Sequence, residues 1–219
     1  MNIKGIIFDL DGTLADTIDD LRTAMNFMLS QKGYPTLTRE GILRNINNGA
    51  REFLRGSLPE EERNNETVID ECMEIYFARY RECYADTTHL YDGMSEAVSE
   101  LYKMGIKLGV FSNKQDEQVQ DLIHRMFPNG EFSQIMGHLN FPHKPDPAGA
   151  LYIADTFGIK PEETLFVGDS NIDMLTSVNA GMYPVGVSWG YRSVEILLEA
   201  GAKKIVYSPC EIIDICRQM

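Results

Sequence analysis

Two carboxylates one residue apart, Asp9 and Asp11, close the first apolar run of the chain, Gly5-Ile6-Ile7-Phe8, and Gly12-Thr13 follows at once. Side chains on a strand alternate faces, so both acids can address one site beyond the strand's carboxyl end. Like charges held that close repel unless a cation or a shared proton joins them. The competing reading is an ordinary turn built on Asp11-Gly12. A second apolar run, Leu165-Phe166-Val167, leads into Gly168-Asp169-Ser170-Asn171-Ile172-Asp173, which repeats the pattern with two acids four positions apart. A third, Ile106 to Phe111, leads into Ser112-Asn113-Lys114 and places a hydroxyl and an amide at another strand end. In His143-Lys144-Pro145-Asp146-Pro147 a lysine stands just before a proline-started helix.

The elements that must position these residues follow from periodicity. Helices are expected near Ser95 to Met104, Gln115 to Met126, Pro147 to Phe157 and Ile172 to Ala180. They alternate with strands ending at Phe111, around Phe132 to Gly137, at Gly168 and around Tyr183 to Val187. Such alternation predicts an α/β fold, a doubly wound Rossmann-like parallel sheet with right-handed crossovers. Ligands bind such sheets in the crevice at the carboxyl ends of the strands, so the four polar clusters are expected to converge there. Between Asp16 and His89 the pattern is helical instead. Ile18, Leu21, Met25, Met28 and Leu29 follow the helical period up to Gly33 and Pro35, Asn48 is placed to cap a short helix carrying Phe53 and Leu54, and Val68 to Cys83 gives a helix of about five turns. The expected organisation is a catalytic core of residues 1–15 and 89–219 with an all-helical cap domain, residues 16–88, inserted after the first strand.

Composition narrows the function. At 219 residues with 43% hydrophobic content the chain can build a proper core. A net charge of −13 lacks the basic footprint that holds nucleic acid, and no run approaches the roughly 20 apolar residues of a membrane span. Asp9 interrupts the first apolar run too early for a secretory signal, so a cytoplasmic protein is expected. Cys72, Cys83, Cys210 and Cys216 lack metal-ligand spacing and are read as unpaired thiols. An anionic substrate would be repelled by the overall field, so its attraction has to come from local cations.

The ordered set Asp9-Leu10-Asp11-Gly12-Thr13, Ser112-Asn113, Lys144-Pro145 and Gly168-Asp169-Ser170 with Asp173 resembles the four signature motifs of the haloacid dehalogenase superfamily. The resemblance spans nearly the whole chain. Softer matches at Asp16 to Leu21, Asn48 to Leu54, Leu90 to Met94 and Gly186 to Tyr191 are similar to its phosphoglycolate phosphatase branch. The resemblance implies magnesium-dependent hydrolysis of a small phosphate monoester through an aspartyl-phosphate. Asp9 would be the nucleophile, and Asp11 the acid that protonates the leaving group and later takes a proton from water. Thr13 is expected to fix Asp11 or its loop by hydrogen bonding. Lys144, Ser112 and the Asn113 backbone amide would hold the phosphoryl group. The metal ligands implied are the Asp9 side chain, the Asp11 backbone carbonyl and Asp169, with Asp173 supporting them. A helix N-cap acceptor is the alternative role for Asp169. Arg51 is a candidate for a substrate carboxylate, with a plain helix-surface arginine as the alternative. Lys114 reads as a solvated surface charge, with a place near the mouth of the site as the alternative, Trp189 as packing or as a flank of the site, and His138 and His143 as structural or surface residues. A sugar phosphomutase, β-phosphoglucomutase-like, or an inorganic pyrophosphatase would use the same residues. A regulatory phosphate-binding module is the non-enzymatic alternative. The partners expected are a small phosphorylated metabolite, neither nucleic acid nor membrane, and at most a weak homodimer.

Overall fold

Ile6, Ile7 and Phe8 have no exposed surface, because the strand they form is covered on both faces. Strands of parallel sheets are buried in this way and read as continuous apolar runs without polar alternation. In the computed structural model, which describes residues 2–46, 49–139 and 141–218, this strand is β1 (Gly5–Phe8) of a six-stranded sheet. The others are β2 (Lys107–Gln115), β3 (Gln134–His138), β4 (Thr164–Gly168), β5 (Tyr183–Val187) and β6 (Lys204–Val206). Their order is β3-β2-β1-β4-β5-β6, and every pairing is parallel. The chain winds outward from β1 to β3 and then returns to the other side of β1. The strand order therefore reverses between β1 and β4, where a crevice opens at the carboxyl ends.

The chain forms two compact units, Met1–Asp16 with Leu90–Met219, and Thr17–His89. The second unit carries α1 (Ile18–Gln31), α2 (Arg39–Asn45), α3 (Ala50–Ser57) and α4 (Glu66–Cys83). The first carries α5 (Met94–Lys103), α6 (Asp116–Met126), α7 (Ala148–Phe157), α8 (Asn171–Asn179), α9 (Val194–Glu199) and α10 (Cys210–Gln218) around the sheet. Ala150, Ile153 and Ala154 of α7 pack on Ile7, Phe111 and Phe166. Gly149 allows that approach, since a Cβ there would lie 2.4 Å from the Phe111 ring. In the helical unit α1 turns Leu21, Met25, Met28 and Leu29 inward. Its neighbour α4 buries Ile69, Cys72, Tyr76 and Tyr80, with the Tyr76 and Tyr80 rings stacked at 5.6 Å. One buried acid ties the ends of this unit together. Asp20 of α1 accepts hydrogen bonds from the N–H groups of Thr87 (3.0 Å) and Thr88 (2.9 Å) and from their hydroxyls, at 2.6 and 2.7 Å.

Several local expectations shift. β2 does not end at Phe111. It runs through Ser112, Asn113 and Lys114 to Gln115, because pairing with β3 resumes at Gln115–His138 after a register shift. α3 begins at Ala50 with Gly49 (φ +90°) before it, and Asn48, the expected cap, lies outside the described residues. No expectation covered α2, α9, β6 or α10; each is short or lies beyond the last strong apolar run. Among the described residues no helix is long and apolar enough to cross a membrane. Cys72 and Cys83 are buried free thiols, and Cys210 and Cys216 are free as well.

Candidate active site

The site begins where the chain leaves β1. The Asp9 N–H still donates to Val167 of β4 (2.9 Å), after which the backbone curls into a tight loop. In that loop the Leu10 carbonyl accepts the N–H groups of Thr13, Leu14 and Ala15. Gly12 takes φ +81°, a left-handed conformation that favours glycine, and a Cβ there would stand 2.3 Å from Oδ2 of Asp169. The loop thus lies directly against the residue that leaves β4.

At that second strand end Gly168 leaves room for Asp173, whose Cβ would be 2.2 Å from a Cβ at position 168. Ser170 then caps α8 in a capping box. Its hydroxyl accepts the Asp173 N–H (3.2 Å), while Oδ2 of Asp173 accepts the Ser170 N–H (3.0 Å) and O–H (2.6 Å). The cap is therefore Ser170, which leaves Asp169 for the crevice. Asp169 accepts the Thr13 hydroxyl on Oδ1 (3.3 Å) and the Tyr191 N–H on Oδ2 (2.7 Å).

Lys144 joins the two strand ends. Its Nζ lies 2.8 Å from Oδ1 of Asp9 and 2.6 Å from Oδ1 of Asp173, in a site where all three side chains are buried. Asn113 places it: the Asn113 Oδ1 accepts the Lys144 N–H (2.8 Å) and the Asn113 Nδ2 donates to the Lys144 carbonyl (3.2 Å). The buried Ser112 hydroxyl accepts the Lys114 N–H at 3.2 Å.

The electrostatics follow from burial and crowding. Asp9, Asp169 and Asp173 bring carboxylate oxygens within 4.8 Å of one another. Burial, then the Asp173 charge and to a lesser degree that of Asp11, push the Asp9 carboxyl from the ordinary 3.8 up to about 7, although Lys144 opposes the rise. Burial followed by the charges of Asp173 and Asp9 raises Asp169 well above the usual carboxylate range. Burial alone would weaken proton binding at Lys144; Asp173 and Asp9 outweigh it, so the ammonium is held more firmly than in water. Three carboxylates sharing one ammonium would carry a formal charge of −2 if all were ionised. The raised affinities of Asp9 and Asp169 for a proton show what that crowding lacks, and a dication bound by hard oxygen donors would supply it.

The geometry amends one sequence expectation, that for Lys114, and gives partners to several others. The Thr13 hydroxyl bonds Asp169, 156 residues away, which ties the loop that carries Asp11 to the end of β4. Lys114 is not a solvated charge: its side chain is 5% exposed and its Nζ lies 2.5 Å from Oδ1 of Asp11. The cluster that crowds three acids joins Asp9 to Asp169 and Asp173, while the Asp11 side chain turns to Lys114. Trp189 is tied to the acidic loop, its indole N–H donating to the Thr13 carbonyl at 3.1 Å. His138 and His143 stack at 3.7 Å, as structural residues would. Arg51 lies in the helical unit, where its guanidinium donates to Asp70 (2.7 Å) and Glu66 (2.5 Å). Sequence reasoning did not pair Lys114 with Asp11, and it gave no site role to the Tyr191 N–H or to Gly190, where a Cβ would sit 2.1 Å from that of Asp169. The Gly-Tyr after β5 was the available signal, an ordinary turn composition.

A family model for haloacid dehalogenase-like hydrolases matches residues 6–187. Phosphoglycolate phosphatase 1 of Pseudomonas aeruginosa is 35% identical over 85% of this chain and 70% of its own length. The phosphoglycolate phosphatase of Vibrio vulnificus is 29% identical over 97% of this chain and 96% of its own. Among solved structures, a predicted phosphoglycolate phosphatase from Haemophilus somnus superposes with a TM-score of 0.89 at 27% identity, covering 98% of both chains. A parallel sheet with acids at its switch point, joined to this match over most of the length, establishes that the chain belongs to the haloacid dehalogenase-like hydrolase family.

Proposed function

We propose that the protein is a magnesium-dependent cytoplasmic phosphatase that hydrolyses a small phosphate monoester, phosphoglycolate first among candidates, through a covalent aspartyl-phosphate. The observation that carries the reading is Asp9: a buried carboxylate at the switch point, held by Lys144 at 2.8 Å and crowded by two further acids. The names of the relatives above support phosphoglycolate as the ester.

Asp9, Asp169 and the Asp11 backbone carbonyl would hold the magnesium ion, with Asp173 supporting them through Lys144 and Ser170. When bound, the ion supplies positive charge that offsets the crowded carboxylates and the phosphate. The Leu10 N–H (2.7 Å) and Lys144 both hold Oδ1 of Asp9, which orients Oδ2 as the attacking oxygen. An Oδ2–P bond forms, the P–O bond to the alcohol breaks, and Asp11 gives the departing oxygen a proton. Lys144 balances charge on the phosphoryl oxygens, and the Ser112 hydroxyl with the Asn113 backbone N–H binds one of them. Water then attacks phosphorus, loses its proton to Asp11, and returns Asp9 as a carboxylate with release of inorganic phosphate. The helical unit serves as the cap in this reading. Arg51 meets a substrate carboxylate only by exchanging Glu66 and Asp70 for it.

The test is magnesium-dependent phosphate release from phosphoglycolate, pyrophosphate, sugar phosphates and nucleoside monophosphates, with Asp9→Asn as the blank. A preference for phosphoglycolate that the blank abolishes supports the proposal. Turnover that survives in Asp9→Asn refutes the covalent route. Preference for pyrophosphate or interconversion of sugar phosphates would move the protein to one of those reactions.

A further inference from the structure

Lys114 is a cation taken out of water beside the acid that the reaction requires to move a proton. Lysine is seldom buried without a charged partner. Here the partner is Oδ1 of Asp11 at 2.5 Å, and the Asp11 side chain itself is only 19% exposed. The two residues stand on neighbouring strand ends, since β1 and β2 pair directly. Lys114 also lies in the stretch of β2 where the register with β3 shifts, between Phe111 and Gln115. Such irregularities re-aim side chains and gather beside active sites. Its own N–H donates to the Ser112 hydroxyl at 3.2 Å, so the backbone that carries the ammonium is tied to the buried serine proposed above to bind the phosphoryl group. Asp11, by contrast, sits on a tight loop past the end of β1, where the β1 ladder no longer orients its side chain.

We infer that Lys114 is a positioning residue for Asp11: its ammonium holds Oδ1 so that Oδ2 is presented to the leaving oxygen in the first step and to water in the second. This rests on the reading of Asp11 as the acid and base. The proton that moves passes between Oδ2 and the alcohol or the water, and the ion pair sets only where that oxygen stands.

An alkoxide needs that proton to depart, and a nitrophenolate does not. The test is the rate of aspartyl-phosphate formation by rapid quench, with phosphoglycolate and with 4-nitrophenyl phosphate, in the full-length chain with magnesium. Lys114→Met is expected to slow the alkyl ester about tenfold to a hundredfold and the nitrophenyl ester less than about threefold, a partial loss of the roughly 10²–10⁴-fold that general acid catalysis supplies. Lys114→Arg, which preserves the charge, is expected to recover most of the loss. In the Asp11→Asn background, Lys114→Met is expected to add nothing, because the two residues act as one unit. The double variant removes both charges and keeps the test open if Lys114→Met alone does not fold. Equal losses on both esters, or a further loss in the double variant, would overturn the inference and make Lys114 a phosphate-binding or purely structural residue. If Asp11→Asn itself slows both esters equally, the reading of Asp11 as the acid fails and the inference falls with it.

Discussion

Replacing Lys144 with methionine tests the charge balance of the site most directly. The side chain keeps much of its length, but the ammonium at 2.8 Å from Asp9 and 2.6 Å from Asp173 is lost, leaving buried carboxylates facing one another. Breaking a buried ion pair by deleting one partner costs about 3–5 kcal/mol, since the remaining charge is left without compensation. For a chain of this size each kcal/mol shifts the unfolding midpoint by about 2–4 °C, so in EDTA at pH 8 the variant should melt about 6–20 °C below the parent. At pH 6 the loss should shrink, because the Asp9 carboxyl, with its proton affinity raised to about 7, takes up a proton that stands in for the missing cation. Saturating magnesium should raise the midpoint of the variant more than that of the parent. Phosphate release should fall by at least about a hundredfold, the scale reported for removing one electrostatic contact to a reacting group. The assay is thermal unfolding by circular dichroism in EDTA at both pH values and again with magnesium. A drop under about 2 °C at pH 8, or a larger drop at pH 6 than at pH 8, would refute the charge accounting, for either would mean that the carboxylates are not ionised together.

Two further outcomes follow from the same structure. Because the folded Asp9 binds its proton up to about 7 while the unfolded group releases it near 3.8, the folded state holds more protons between those values. Its contribution therefore makes the metal-free protein less stable as pH rises through that window, and magnesium binding should release protons at pH 6 and fewer at pH 8. Calorimetric titrations in buffers of different ionisation enthalpy measure that release, and equal release at both pH values would contradict it. Asp20→Ala removes the acceptor of two N–H groups and two hydroxyls from Thr87 and Thr88, and should cost about 3 kcal/mol in urea unfolding, as expected for buried donors left unsatisfied. A loss below about 1 kcal/mol would show that water or neighbouring groups satisfy those donors.

What the amino-acid order determined by itself is local. Apolar runs of three to six residues that end in acids, glycines and hydroxyls mark strand ends, and their alternation with helical periods sets the doubly wound class and the inserted helical block. These patterns repeat within ten residues, and side-chain alternation is a property of the strand itself. Tertiary structure alone decided the pairings: Lys144 with Asp173 across 29 residues, Lys114 with Asp11 across 103, and Thr13 with Asp169 across 156. They depend on the order β3-β2-β1-β4-β5-β6, which brings β2 and β4 to either side of β1. Alternating elements are compatible with more than one such order, so no local spacing reveals which strand ends become neighbours. Lys114 shows the consequence. In sequence it is a lysine between an asparagine and a glutamine, indistinguishable from a solvated surface charge. In the fold its side chain is 5% exposed, and the carboxylate of Asp11, at the end of the neighbouring strand, lies within hydrogen-bonding reach.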